Sequence, residues 1–262
     1  MKEAPIGIFD SGVGGLTVWN EIVRLLPAED TLYLADSANA PYGERSPEEI
    51  LALSRKNTEW LLARGCKIIV VACNTATTNA IAALRREYPV PFIGIEPAIK
   101  PAALNSQTGR IGVLATRGTL ASDLFATTSR NYAEGIQILE QEGVGLVRLI
   151  ESGTLEGPEL AGRLESLLAP MLGAGIDQLV LGCTHYPFLI PALRALLPEG
   201  VKIVDCGLPV ARQTRAVLEG HGWLREEGHQ GRHELFTNAD TQVIDRLLQW
   251  LGYAERARFT PF

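Results

Sequence analysis

Two rhythms of apolar and polar residues take turns along the chain. IGIF from Ile6, TLYLA from Thr31 and, after its leading lysine, KIIVVA from Lys67 are short and nearly uniformly apolar. After each comes a stretch in which apolar residues recur every three or four positions: LTVWNEIVRLLP, SPEEILALSRKNTEWLLARG and TNAIAALRREY. Uniformly apolar runs predict strands covered on both faces, and the longer period predicts amphipathic helices between them. Repeated strand–helix alternation is the pattern of a mainly parallel sheet flanked by helices. Ser46–Glu49 reads as a helix start, with a capping Ser, a Pro at the first helical position and acidic residues in the first turn.

The second half echoes the first. IGIFDSGVGGLT from Ile6 returns as IGVLATRGTLAS from Ile111, 105 residues later, and KIIVVACNTATTNAI from Lys67 returns as DQLVLGCTHYPFLIPAL from Asp177, 110 residues later. Polar turn residues recur along with the apolar ones, as two related lobes require. The expected fold is α/β: two pseudo-symmetric lobes, each a mainly parallel sheet flanked by helices, with the active site in the cleft between them. The Pro-rich stretch Pro91–Pro101 reads as a hinge. Near Asp205–Pro209 the chain is expected to return to the first lobe, which would comprise residues 1–96 and 207–262, leaving 97–206 as the second.

A length of 262 residues suits one large or two smaller domains. The formal charge of −6 speaks against nucleic-acid or anionic-membrane binding driven by bulk charge. No apolar run reaches the roughly 18 residues of a membrane span, and MKEAPIGIFDSG lacks the apolar core of a signal peptide. A cytoplasmic enzyme is expected. Four cysteines without a C-x-x-C pair do not make a disulfide framework there. Cys66 and Cys206 read as small buried hydrophobes.

Ligands of open α/β sheets sit beyond the carboxyl ends of the strands. Five polar clusters fall at such ends: Asp10-Ser11-Gly12, Pro41-Tyr42-Gly43, Cys73-Asn74-Thr75, Thr116–Thr119 and Cys183-Thr184-His185. Each lobe contributes one cysteine at an equivalent position, so Cys73 and Cys183 would approach one ligand from opposite sides. Each also precedes an expected helix, whose N-terminus favours thiolate. Two opposed thiols suit inversion at carbon, one removing a proton while the other delivers one. DSGVGG fails both nucleotide fingerprints: Thr17 stands where the dinucleotide pattern needs Gly, and no Walker lysine follows. What remains is either an anion-binding turn or a tight connection without a ligand. His229 and His233 in HQGRH read as a solvated loop, not a metal site. No Lys lies in the strand-end clusters, which disfavours a pyridoxal Schiff base, so no cofactor is expected. Asp10 ends an apolar strand and is a site candidate, whereas Glu151 taken alone reads as surface.

IGIFDSGVGGLTV (Ile6–Val18), PYGERSPEEI (Pro41–Ile50), VVACNTATTNA (Val70–Ala80) and LVLGCTHYPFL (Leu179–Leu189) together resemble the glutamate racemases of the cofactor-independent aspartate/glutamate racemase superfamily. The resemblance implies two α/β lobes, often a homodimer, that interconvert L- and D-glutamate for peptidoglycan synthesis. It implies that Cys73 deprotonates D-glutamate and Cys183 L-glutamate, assisted by Asp10 and His185. Glu151 is implied as a further catalytic acid, placed by register in a stretch that lacks the family's usual Cys-Pro pair. Asp10, Ser11, Tyr42, Gly43, Asn74, Thr75, Thr184 and His185 match the substrate-binding set, and Thr116 with Thr119 a second-lobe hydroxyl pair.

Two other readings compete. One is a related racemase or decarboxylase acting on aspartate or another small acid; the other is a non-catalytic two-lobed solute-binding protein. The latter has no reason to place one thiol on each lobe.

Overall fold

The computed structural model describes all residues of the chain except Ala133 and Glu227. Among the described residues ten strands form two parallel sheets: β1 (Ile6–Asp10), β2 (Thr31–Ala35), β3 (Ile68–Val71), β4 (Phe92–Gly94), β5 (Arg110–Ala115), β6 (Gln137–Glu142), β7 (Gln178–Gly182), β8 (Lys202–Val204), β9 (His233–Thr237) and β10 (Arg258–Phe259). The first sheet has the order β10-β9-β2-β1-β3-β4 and the second β6-β5-β7-β8. The central strands β1, β2, β3 and β7 are buried along their whole length, which is why they read as unbroken apolar runs.

Both sheets are built alike. The β1 strand lies between β2 and β3, and β5 between β6 and β7, each in register to its last residues: Asp10 beside Ala35, and Ala115 beside Glu142 and Gly182. Side chains from the carboxyl ends of the two sheets meet, so the chemistry lies where two sets of strand ends converge. The helix Gly207–Gly220, after β8, packs against the helix Leu16–Leu25 of the first sheet.

The helix over Pro47–Leu62 starts as its sequence demands. Ser46 Oγ accepts from the Glu49 N–H, and Glu49 accepts from the Ser46 N–H, closing a capping box. No helix among the described residues is long and apolar enough to cross a membrane.

Two stretches carry more structure than their local sequence displays. The Pro91–Pro101 stretch contains β4, whose Phe92 and Ile93 are buried against the edge of β3, and the first turn of the helix Ile99–Asn105. Proline is tolerated next to an edge strand and early in a helix, so its density there marks element boundaries as well as any hinge. His229 and His233 do not share a solvated loop. His233 opens β9 and its Nδ1 lies 3.0 Å from Thr31 Oγ1, while His229 Nε2 lies 3.0 Å from Asp30 Oδ1. Pairing with β2 recruited this weakly apolar segment, a tertiary effect that local polarity does not reveal.

Candidate active site

Both cysteines singled out by their lobe-equivalent positions line one small cavity. Ser11, Tyr42, Gly43, Asn74, Thr75, Thr184 and His185 share its wall with Cys73 and Cys183. The cavity measures about 10 Å³, room for roughly one water. Larger surface cavities of about 510 and 650 Å³ lie elsewhere, beside Trp250 and beside Arg225 respectively, and contain no thiol.

The two thiols have different proton partners. Cys73 follows β3 and is the N-cap of the helix Asn74–Glu87; its sulfur accepts from the Ala76 N–H at 3.4 Å. The Cys73 thiol donates to Ser11 Oγ at 3.6 Å, and that hydroxyl donates to Asp10 Oδ1 at 3.2 Å. Burial, and then the Asp10 charge, push the Cys73 thiol well above its ordinary range. The helix N-terminus and the Ser11 hydroxyl pull the other way and are outweighed, contrary to the expectation that the helix would set the balance.

Cys183 follows β7, but Thr184 and His185 separate it from a short 3-10 turn (Tyr186–Leu189), so it caps no helix. Its partner is an imidazole: Cys183 Sγ lies 3.7 Å from His185 Nδ1, and His185 Nε2 lies 2.5 Å from Glu151 Oε1. Burial disfavours the imidazolium, yet the Cys183 and Glu151 contacts win and raise His185 well above its ordinary value. One thiol is thus linked through a hydroxyl to a carboxylate, the other through an imidazole to a carboxylate.

Glu151, which alone reads as surface, is brought by the fold against His185, Val13 and Ser37. Its Oε1 also accepts from the Val13 N–H at 2.8 Å, and its Oε2 from Ser37 Oγ at 3.2 Å. The glycine turn does bind a carboxylate through its backbone, and that carboxylate is Glu151 of the same chain. Close approach explains the glycines: a Cβ on Gly12 would stand 1.9 Å from Glu151 Oε1, and one on Gly14 2.2 Å from His185 Nδ1. Asp10 is fully buried, with Oδ2 accepting from the Gly15 N–H at 2.7 Å and from Thr184 Oγ1 at 3.1 Å. Burial raises its carboxyl above the usual value, with the His185 charge and N–H groups of Ser11 and Gly15 opposing.

The remaining polar groups frame the cavity. Among the described residues, neither side-chain amide atom of buried Asn74 has a hydrogen-bond partner. Two unmet amide atoms at a cavity wall are costly in isolation and are suited to a polar ligand. Thr75 Oγ1 lies 2.8 Å from Thr116 Oγ1 and 3.3 Å from Thr119 Oγ1; Thr116 reaches the wall, while Thr119 stands behind it. Tyr42 and Gly43 are at the wall too, but the Tyr42 phenol is spent elsewhere: it donates to Asp36 Oδ2 at 2.5 Å and accepts from Asn57 Nδ2 at 3.0 Å. Sequence reasoning missed Ser37 and Asp36, although both stand directly after β2 at a strand end.

The family model described as Asp/Glu/hydantoin racemase matches residues 6–214, most of the chain and every residue of this cavity. The chain belongs to the Asp/Glu/hydantoin racemase family. Among its racemase relatives, a glutamate racemase of Pseudomonas putida is 47% identical over 253 residues, covering 96% of this chain and 95% of the relative. The crystal structure of a glutamate racemase isoform from Bacillus anthracis superposes with a TM-score of 0.90 at 32% identity, over 100% of this chain and 99% of that one. A glutamate racemase from Escherichia coli, solved with L-glutamate and the activator UDP-MurNAc-ala, gives a TM-score of 0.86 at 34% identity over 98% of each chain. The two-sheet α/β architecture expected from the sequence is the fold of these racemases.

Proposed function

We propose that the protein interconverts L- and D-glutamate by a two-base mechanism in which Cys73 and Cys183 serve opposite faces of the α-carbon. The observation that carries this reading is the pair of thiols from different sheets lining one cavity, each with its own route for a proton. Glutamate as substrate rests on the glutamate racemases that the chain resembles over nearly its full length.

The α-hydrogen of an amino acid is far less acidic than a thiol, so the barrier falls only if the developing carbanion is stabilised. The unmet amide of Asn74 and the hydroxyls of Thr75 and Thr184 are suited to hold the α-carboxylate, and the Tyr42–Gly43 wall and the Thr116–Thr119 pair the distal one. For the L enantiomer, Cys183 removes the α-proton while His185, held by Glu151, can carry the proton the sulfur must first give up. Cys73, kept protonated by burial and by Asp10, delivers its proton to the opposite face and is restored through Ser11. The D enantiomer runs the same steps in reverse. The reaction requires no cofactor.

The same reading divides the chain into lobes of residues 1–96 plus 207–262 and 97–206, supported by the strands each sheet contains. It places the enzyme in the cytoplasm, as a homodimer, supplying D-glutamate for peptidoglycan.

Two single substitutions test the mechanism. Cys73→Ala and Cys183→Ala should each lose racemisation by orders of magnitude, equally in both directions because the enantiomers have equal free energy. In heavy water, proton NMR should show Cys183→Ala exchanging the α-hydrogen of D-glutamate only, and Cys73→Ala that of L-glutamate only. Exchange of both enantiomers by one variant would mean a single base reaches both faces.

A further inference from the structure

We propose that Asn238, which lies beyond the residues matched by the family model, positions the Tyr42–Gly43 wall of the active site by clamping Asp36 and the loop behind it. The proposal rests on the racemase reading and adds a residue from the C-terminal part of the chain.

Strand register creates the contact. Pairing of β2 with β9 sets Ala35 beside Thr237, so the next residues, Asp36 and Asn238, leave the sheet side by side. Asn238 Nδ2 donates to Asp36 Oδ1 at 2.5 Å, and Asn238 Oδ1 accepts from the Ala38 N–H at 2.9 Å. One amide thus holds both a buried side chain and the backbone of the following loop. Asp36 is fully buried and, among the described residues, faces no cationic side chain: its partners are Asn238, Asn39 Nδ2 at 2.7 Å and the Tyr42 phenol at 2.5 Å. Charge-assisted bonds of this kind are about twice as strong as neutral ones, and in a buried network each member fixes the next. Asn57 holds the far side of the phenol at 3.0 Å, and Arg45 Nε donates to Asn39 O at 2.7 Å. The line from Asn238 through Asp36 to Tyr42 therefore runs from the outer strands of the sheet to the cavity wall. Tyr42 and Gly43 are the part that would touch substrate; Asn238 and Asp36 act only through them.

Removing the clamp leaves the catalytic thiols and their partners in place but lets the wall wander. Substrate must then order that wall on binding, so KM should rise while kcat stays close to its original value. A displacement of about 1 Å in a positioning group can cost about 100-fold, and a wall still held by Asn57 should lose less, about tenfold. Asn238 is only half-buried, so Asn238→Ala should fold. A second variant, Asn238→Asp, sets an introduced carboxylate against Asp36; like charges so close favour uptake of a shared proton, so its KM should fall back toward the wild-type value as pH is lowered.

The experiment is steady-state racemisation of L-glutamate, followed by circular dichroism, for wild type, Asn238→Ala and Asn238→Asp between pH 6 and 9, with thermal melts of each. A roughly tenfold higher KM in Asn238→Ala with kcat within about threefold, and an Asn238→Asp defect relative to wild type that shrinks at low pH, support the clamp. A lowered melting temperature with unchanged KM would overturn it, as would an Asn238→Asp defect independent of pH. Failure of the wild type itself to racemise glutamate would instead overturn the functional reading.

Discussion

Replacing Gly12 by Ala adds one methyl group where the turn after β1 packs against the Glu151 carboxylate. Gly12 does not have a positive φ, so the backbone accepts Ala and only space is at issue. The new Cβ would lie 1.9 Å from Glu151 Oε1 and 2.7 Å from its Cδ, so the carboxylate must move. That oxygen accepts from the Val13 N–H at 2.8 Å and faces His185 Nε2 at 2.5 Å; both contacts lengthen together. A hydrogen bond to a charged group contributes about 1.5–3 kcal/mol. Losing the His185 contact alone therefore predicts a fall in kcat/KM of about 10- to 150-fold, at 1.36 kcal/mol per decade. Strain from the extra methyl should cost about 1–3 kcal/mol of stability, leaving a protein of this size folded. The test is a cycle with Glu151→Asp, which shortens the side chain by one methylene. In the native background Glu151→Asp withdraws the carboxylate from His185 and should lower activity. Beside Ala at position 12 it makes room, and should raise activity above that of Gly12→Ala alone. The assay is the decay of L-glutamate ellipticity under initial-rate conditions. Wild-type kcat/KM in Gly12→Ala, or an equal loss from Glu151→Asp in both backgrounds, would refute the role given to this contact.

Two further outcomes concern stability. Lys67 and Glu29 form a buried pair at 2.6 Å near the opposite, amino-terminal ends of the strands, where Lys67 Nζ also donates to the carbonyls of Lys2 and Trp223. Lys67→Met should strand the Glu29 charge at a cost of about 3–5 kcal/mol and lower the melting temperature by about 10 °C, with kcat unchanged; a shift under about 2 °C would contradict this. His185 has its folded-state value raised well above 6.5, so its contribution is complete below pH 6.5 and is lost as pH rises through the higher folded value. Urea melts at pH 6 and pH 9 should show the stability advantage of wild type over His185→Gln shrinking at the higher pH, and an advantage that grows there would reverse the sign of the argument.

Part of this protein is written in its local sequence. Uniformly apolar runs gave away the buried central strands, the three-to-four-residue period the helices, and Ser46–Glu49 a capped start, because each signal reflects a residue's own burial or its near neighbours. The recurrence of Cys73 and Cys183 at equivalent strand ends drew attention to both thiols for the same reason: a strand end is a local feature. Other properties arise only when distant segments meet. Glu151 is an ordinary helix-end carboxylate until folding sets it against Val13, Ser37 and His185. The proton preference of Cys73 is decided by burial and Asp10, against the helix N-terminus that the sequence displays. The half-polar segment His233–Thr237 becomes a strand because β2 offers an edge, and only that register puts Asn238 beside Asp36. Hydrophobic periodicity records which side of an element is buried; it does not record what the element is buried against, and hydrogen bonds and charge interactions depend on that partner.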